Sequence, residues 1–202
     1  MLAREACTHE ILPEEQLRAH QYQLLARWLA APPEKDLLEL VSGVSGDATE
    51  FGRALAELAG RAHEASPDAA SREYHELFIG IGRGELVPYA SYYLTGFLNE
   101  KPLAKLRSDM ARLGIARAET VKEPEDHVAA LCEMMAGLIT GAFGAPLALA
   151  EQRAFFDRHL ASWAPVFFDD LEKAKSAWLY APIGTLGRVF MGIEQTAFMM
   201  ET

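Results

Sequence analysis

Residues 123–127, Glu-Pro-Glu-Asp-His, hold the densest group of side chains that could do chemistry. Carboxylates bind cations through charge-assisted hydrogen bonds, and an imidazole exchanges protons near neutral pH. Proline followed by acids is also typical of a helix N-terminus, where carboxylates offset the positive end of the dipole. We therefore expect Pro124 to open a helix. Its buried face would carry Val128, Leu131, Met135, Leu138 and Ile139.

A second group, Pro88 to Leu94, has three tyrosines within five residues. Tyrosine combines apolar area with a polar tip, a composition favoured where one protein binds another. Tyr89 and Tyr93 also have the four-residue spacing of one helix face, which would place them in the core. The sequence is compatible with both interpretations.

The segment Gly80–Gly84 contains three glycines and is the clearest loop in the chain. Such glycines let backbone N–H groups approach a phosphate, but this loop follows a helical pattern and lacks a Gly-Lys-Ser/Thr step. We expect a flexible connection between helices. The alternative is a small helical nucleotide hydrolase that uses this loop, with Asp126 and His127 as an acid–base pair.

Metal and hydrolase chemistry have little support in this sequence. The six histidines are scattered, and a helix that includes both His127 and Glu133 would place them on different faces. There is no Gly-x-Ser-x-Gly nucleophile motif. Cys7 and Cys132 are too few for a disulfide framework or a thiolate zinc site. We expect no catalytic residue, no metal and no cofactor.

Apolar residues recur at helical spacing along nearly the whole chain, and alternating strand patterns are almost absent. The sequence predicts one all-α domain over residues 1–202, a bundle of roughly nine to eleven helices. One helix is predicted from Lys101 to Leu113 with Gly114 as its C-terminal cap. Another is predicted to start at Ser66-Pro67, a capping residue followed by a first-turn proline.

Composition limits the possible partners and locations. Half of the 202 residues are hydrophobic and the formal net charge is −10, so nucleic acid and anionic membranes are repelled while a cationic partner is attracted. The N-terminus lacks the apolar stretch of a signal peptide, and Met134 to Ala150 is too short to span a bilayer. We expect a cytoplasmic protein that makes at most peripheral membrane contact.

Three motifs in order resemble the TorD/DmsD family of redox-enzyme maturation chaperones: residues 74–80 (Tyr-His-Glu-Leu-Phe-Ile-Gly), 88–93 (Pro-Tyr-Ala-Ser-Tyr-Tyr) and the box at 123–127. The similarity extends from about Gln16 to Met200. Its later part consists of Phe155-Phe156, His159-Leu160, Trp163, Phe167-Phe168 and Tyr180. Each motif is weak alone, and their order and spacing are specific.

The resemblance implies an all-helical cytoplasmic chaperone that binds the twin-arginine signal peptide and apo catalytic subunit of a molybdoenzyme of the dimethyl sulfoxide reductase class. It would hold that enzyme for cofactor insertion before export. The chain would be a monomer, with a domain-swapped dimer as the open alternative. The residues implied for peptide binding are Tyr74, Leu77, Phe78, Pro88, Tyr89, Asp126 and His127.

The residues fit that expectation physically, since two arginines and an apolar segment need a groove with acids at one end. Asp126, alone or together with Glu125 and Glu123, would bind arginine, and His127 would orient Asp126 or donate to a peptide carbonyl. Gly82 and Ala90 depart from the family pattern, which has tryptophan in some members and glutamate in many, so we expect a smaller or less acidic site there. An adaptor that binds only the mature subunit is the remaining alternative.

Overall fold

A computed structural model describes residues 11–118 and 121–200, and these form ten α-helices without a regular strand. This confirms the all-α prediction. The helices are α1 Pro13–Ala30, α2 Lys35–Ser42, α3 Glu50–Glu64, α4 Pro67–Tyr74, α5 Ala90–Thr95, α6 Lys101–Leu113, α7 Val128–Thr140, α8 Leu149–His159, α9 Ala164–Lys173 and α10 Ala181–Met200. A short π-helical turn, His75–Ile79, extends α4.

Helix α7 forms the centre of the bundle and is buried along almost its whole length. It packs mainly against α1, while α10 packs against α9 and α3, and α2 packs against α3. The five residues predicted for the inner face of α7 are all buried. Aromatic side chains supply much of the core volume; the largest fully buried ones are Trp28, Trp163, Tyr22, Tyr180, Phe156, Phe167 and Phe168.

One buried polar network ties three helices together. Arg18 on α1 makes two hydrogen bonds, of 2.7 and 2.8 Å, to the carboxylate of Glu194 on α10. Tyr22 donates to the same carboxylate at 2.9 Å, and Arg18 also donates to Gln152 on α8 at 3.0 Å. Because these partners satisfy one another, the buried charge of Glu194 is compensated.

Two predicted helix ends are confirmed. The Ser66 hydroxyl accepts from the Ala69 N–H at 3.2 Å and caps α4, which has Pro67 in its first turn. Helix α6 ends at Gly114, whose φ of +70° is the left-handed conformation that suits glycine.

The predicted start of α7 at Pro124 is wrong, because the helix begins at Val128. Residues 124–127 form a turn followed by an extended residue, and His127 is the N-cap with ψ of 138°. The backbone carbonyl of Asp126 accepts from the Ala90 N–H, and its side chain accepts from the Ser91 N–H; these bonds draw the segment away from helical geometry.

The loop Gly80–Gly84 does connect helical segments, as predicted, but both of its ends are fixed. The Leu86 N–H donates to the Leu77 carbonyl at 2.8 Å, so the chain after the loop runs back along the π-helical turn. Gly80 has φ of +59°, and a side chain there would collide with the Arg83 backbone.

Among the described residues, no helix is long and apolar enough to cross a membrane. Cys132 is a buried free thiol, whereas Cys7 and His9 lie outside the described residues. The buried side chains of the described ranges form one hydrophobic core cluster, as expected of a single bundle.

Candidate functional site

Two segments that are distant in sequence meet at the site. Segments 88–90 and 126–128 lie antiparallel and form an isolated bridge between Tyr89 and His127. Two backbone hydrogen bonds, of 3.0 and 2.9 Å, join them on either side of that pair. The tyrosine cluster and the acidic box are therefore one structural unit.

Side chains on this bridge alternate between two faces, as in any extended segment. Tyr89 and His127 border a cavity of about 630 Å³. Their chain neighbours Ala90 and Asp126 border a smaller pocket, of about 290 Å³, on the other side. Adjacent residues of one motif therefore border different pockets.

The larger cavity lies between the end of α1, the π-helical turn, the segment after α6, the bridge and α7. Its volume falls within the range of about 300–1,000 Å³ that is typical of ligand sites. Its lining is mainly apolar, and the larger apolar side chains are Phe78, Ile79, Pro88, Met110, Met134 and Phe143. Phe143 folds back onto Gly137 of α7, where a side chain would collide with its ring.

Three glutamates border the cavity, and their surroundings differ. Glu125 forms ion pairs with Arg107 at 2.8 Å and Arg117 at 3.7 Å. Although its burial acts in the opposite direction, these arginines lower the pKa of Glu125. Glu123 accepts a hydrogen bond from the Tyr89 hydroxyl.

Glu133 differs from both, since within residues 11–118 and 121–200 its carboxylate has no hydrogen bond or ion pair. Its neighbours on the cavity wall, Ala129, Ala130 and Met134, are apolar. Partial burial raises the pKa of Glu133, because no cation offsets the loss of water.

His127 is held in one orientation. Its Nδ1 accepts from the Ala129 N–H at 3.1 Å, which caps α7, and its ring packs edge-on against Tyr89 at 5.0 Å. Burial lowers the pKa of His127 to about 4, so the ring is neutral at neutral pH. With Nδ1 as acceptor, the proton is on Nε2, which is left as a hydrogen-bond donor.

An aromatic group forms the wall beside the π-helical turn. Tyr74 packs against Phe78 and Tyr180, with ring centroids 5.0 and 6.1 Å away. The Tyr74 hydroxyl donates to the Leu29 carbonyl at 3.3 Å, and burial raises its pKa to about 12. Tyr74 is thus joined to the end of α1 and stays uncharged at neutral pH.

Five of the seven implied site residues border the cavity together: Tyr74, Phe78, Pro88, Tyr89 and His127. Leu77 does not, because it is fully buried beneath the π-helical turn. Asp126 does not either, since it is only 1% exposed and points away from the cavity side of the bridge.

Asp126 has a partner within the fold. Its Oδ2 accepts from the Ser91 N–H at 2.8 Å, at the first turn of α5, while Oδ1 has no partner among the described residues. His127 uses its Nδ1 on α7, so the described structure has no hydrogen bond between the two side chains. They are not arranged as an acid–base pair.

The sequence did not identify Glu133, Met134 or Phe143 as lining residues. The prediction that His127 and Glu133 lie on different helix faces does not apply, and both residues border the same cavity. His127 is the N-cap and not a helical residue, so helical spacing does not apply to it. The spacing of Ala129, Ala130 and Glu133 within α7 is the signal that could have found this wall.

Gly82 and Ala90, the two departures from the family pattern, do not line the cavity. Gly82 has φ of +88° in an exposed loop, and Ala90 faces the smaller pocket. Neither residue contributes a side chain to the lining of the larger cavity.

Comparisons with known proteins identify the family. The model for the family described as nitrate reductase delta subunit matches residues 45–169, most of the chain and all three motifs. The chain belongs to the TorD family of redox-enzyme maturation chaperones. The TorD-family resemblance seen in the sequence is thereby confirmed.

Curated relatives agree with this assignment. The chain is 30% identical over 126 residues to the chaperone protein TorD of Vibrio cholerae serotype O1 (strain ATCC 39541), which covers 59% of this chain and 57% of that protein. It is 29% identical over 164 residues to TorD of Vibrio vulnificus (strain YJ016), covering 77% and 73%.

A solved structure supports the fold of this TorD-family chain. A redox enzyme maturation protein from Archaeoglobus fulgidus superposes with a TM-score of 0.56 and 21% identity, covering 94% of this chain and 99% of the other. At that identity, the likeness concerns the all-helical architecture alone.

Proposed function

We propose that this chaperone binds the twin-arginine signal peptide of a molybdoenzyme of the dimethyl sulfoxide reductase class in the 630 Å³ cavity. It acts in the cytoplasm, on the apo catalytic subunit, and holds that subunit for cofactor insertion before export. Membership of the family supports the client class, and the cavity supports the peptide site.

The observation that carries this proposal is an apolar cavity with acids that the fold does not neutralise. A twin-arginine signal joins two arginines to an apolar segment of about 7 to 15 residues. Phe78, Pro88 and Met134 offer apolar area to that segment, while Glu123 and Glu133 have no cationic partner among the described residues. The net charge of −10 attracts such a peptide at long range.

The implied residues divide into two roles in this proposal. Tyr74, Phe78, Pro88, Tyr89 and His127 contact the peptide, with the Nε2–H of His127 donating to a peptide carbonyl. Leu77 and Asp126 act as positioning residues: Leu77 supports the π-helical turn, and Asp126 holds α5 against the bridge. In this proposal the arginines are met by acids that border the larger cavity, and Asp126 supports the fold.

Calorimetric titration with synthetic twin-arginine leaders from the host's molybdoenzymes tests the proposal. We expect binding to one leader that weakens when salt is added and when both arginines are replaced by glutamine, since exposed charge pairs are screened. Transfer of that leader to an unrelated carrier protein should transfer binding with it.

Absence of binding to every leader would contradict the proposal. Binding that follows the mature subunit and ignores the leader would instead support the adaptor function. Nucleotide turnover that is lost in Asp126→Ala would contradict the assignment as a non-enzymatic chaperone; we expect none, because Asp126 and His127 are not hydrogen-bonded to each other.

A further inference from the structure

The cavity contains one carboxylate for which the fold provides no partner. Glu125 is already occupied by two arginines, and Asp126 faces the other side of the bridge. Glu133 lies on an apolar stretch of α7 without a hydrogen bond or ion pair among the described residues. The carboxylate of Glu133 is exposed at the cavity wall and is free to form a charge-assisted hydrogen bond with a cationic group of a bound peptide.

Glu123 is the second acid that is available to a peptide. It takes a single hydrogen bond, from the hydroxyl of Tyr89, whose ring packs on His127. Glu123 thus lies at the His127 end of the cavity. Glu133 lies on the second turn of α7, so the two acids border the cavity from different elements.

That separation suits two consecutive arginines. In an extended peptide, neighbouring side chains point to opposite faces, so the two guanidinium groups of an Arg-Arg pair diverge. A single acidic cluster would meet only one of them. Acids at two places along the cavity can meet both, and a carboxylate accepts two hydrogen bonds from one guanidinium.

From this arrangement we infer that Glu133 binds one arginine of the twin-arginine pair and that Glu123 binds the other. The inference rests on the proposed function and makes Glu133 a specificity-determining residue of the peptide site. Glu133 lies outside the three family motifs, so the resemblance in sequence does not assign this role to it.

The inference predicts a pH dependence. Burial raises the pKa of Glu133 in the empty cavity, and a bound guanidinium favours its ionised form. Peptide affinity should therefore fall as the pH is lowered from neutral. The other titratable groups that border the cavity are Glu123, Glu125, His75, His127, Arg117, Tyr74 and Tyr89, so the part of the pH dependence due to Glu133 is the part that Glu133→Gln removes.

The test is a double-mutant cycle between protein and peptide, measured by calorimetry on the full chain. Glu133→Gln should weaken binding of the wild-type leader by about 10- to 100-fold, which is the cost of losing one charge-assisted hydrogen-bonded pair. A leader in which the arginine that pairs with Glu133 is replaced by glutamine should bind Glu133→Gln as tightly as it binds the wild-type protein. Glu123→Gln should show the same coupling to the other arginine. Glu64→Gln, on α3 and away from the cavity, removes the same charge and serves as the control.

The outcomes are distinguishable. If wild-type protein binds the leader and Glu133→Gln binds it equally well, or shows no coupling to either arginine, this inference is overturned and the proposed function stands. If wild-type protein binds no leader, the proposed function fails and the inference fails with it. Because Glu133→Gln removes no contact within the described fold, unchanged circular dichroism should accompany the loss of binding.

Discussion

The two faces of the bridge between Tyr89 and His127 have opposite electrostatic character. The larger cavity contains Glu123 and Glu133 without cationic partners among the described residues, whereas the smaller pocket is bordered by Lys101, Lys105 and Arg158, of which Arg158 is paired with Asp109. A basic peptide is attracted to the first and repelled by the second, although the two share one pair of backbone segments.

Adjacent residues of the Asp126-His127 motif therefore have separate tasks. His127 faces the acidic cavity, and Asp126 faces the basic pocket while it holds the first turn of α5. Because side chains alternate along an extended segment, adjacent residues of one motif point to opposite sides of the bridge. Its members should respond differently to mutation.

The largest effect is expected from charge reversal in the larger cavity. Glu123→Lys combined with Glu133→Lys should weaken binding of a twin-arginine leader by roughly 100- to 10,000-fold, since two charge-assisted contacts are replaced by repulsion. Titration calorimetry measures this. The matched variant Lys101→Glu with Lys105→Glu, in the smaller pocket, should bind within about threefold of wild type. A gain of affinity in the smaller-pocket variant that mirrors the loss in the larger-cavity variant would show that only overall charge matters.

Acidification should destabilise the fold through His127. Its pKa is about 4 in the folded chain and 6.5 in the reference state, so the folded protein binds fewer protons and loses stability as the pH falls from about 6.5 to about 4. The loss is on the order of 3 kcal/mol. Urea unfolding across that range measures it. His127→Asn keeps an N-cap but does not titrate, so its profile should be flatter; an unchanged profile would assign the effect to other groups.

On the opposite face, Asp126→Ala should act on the fold before it acts on binding. The variant leaves the Ser91 N–H without its acceptor, which costs about 1–3 kcal/mol in the free energy of unfolding. Asp126→Asn keeps an oxygen acceptor and should recover most of that loss in denaturant titrations. Folded Asp126→Ala should bind the leader nearly as well as wild type. A loss of affinity like that of Glu133→Gln would mean that Asp126 contacts the peptide.

The smallest effect concerns the stability of Glu133→Gln. The raised pKa of Glu133 means that its ionisation opposes folding, so stability is highest when it is protonated and declines as the pH rises through its folded pKa. Glutamine should therefore raise the melting temperature slightly at neutral pH and leave it unchanged at acidic pH. A lower melting temperature at neutral pH would indicate a structural contact and contradict a role in binding.

Much of the fold followed from local pattern. Helical spacing identified the all-α bundle, the buried face of α7, and the ends of α4 and α6, because caps and apolar stripes are encoded within a few residues. The start of α7 did not follow, because residue 126 is held by α5, some 35 positions away. A proline with acids after it predicts a helix start only when no distant segment competes for its backbone.

The site was predictable to a similar extent. The motifs named five residues that do border the cavity, since the family resemblance carries their tertiary arrangement implicitly. Glu133 was missed because it is singled out by having no hydrogen-bond or ion-pair partner among the described residues. That property depends on all the tertiary neighbours of the side chain and cannot be read from the local sequence. Phe143 borders the cavity only because Gly137 leaves space for its ring, a contact between residues on either side of a turn.

The most direct test of the central claim is to locate the bound peptide. A twin-arginine leader that carries a photoreactive phenylalanine analogue in its apolar segment is irradiated with the full-length chain, and the crosslinked residues are mapped by mass spectrometry. Binding in the larger cavity predicts crosslinks to Phe78, Met134 and Phe143. Crosslinks confined to Leu94, Lys101 and Lys105 would place the peptide in the smaller pocket and contradict the account.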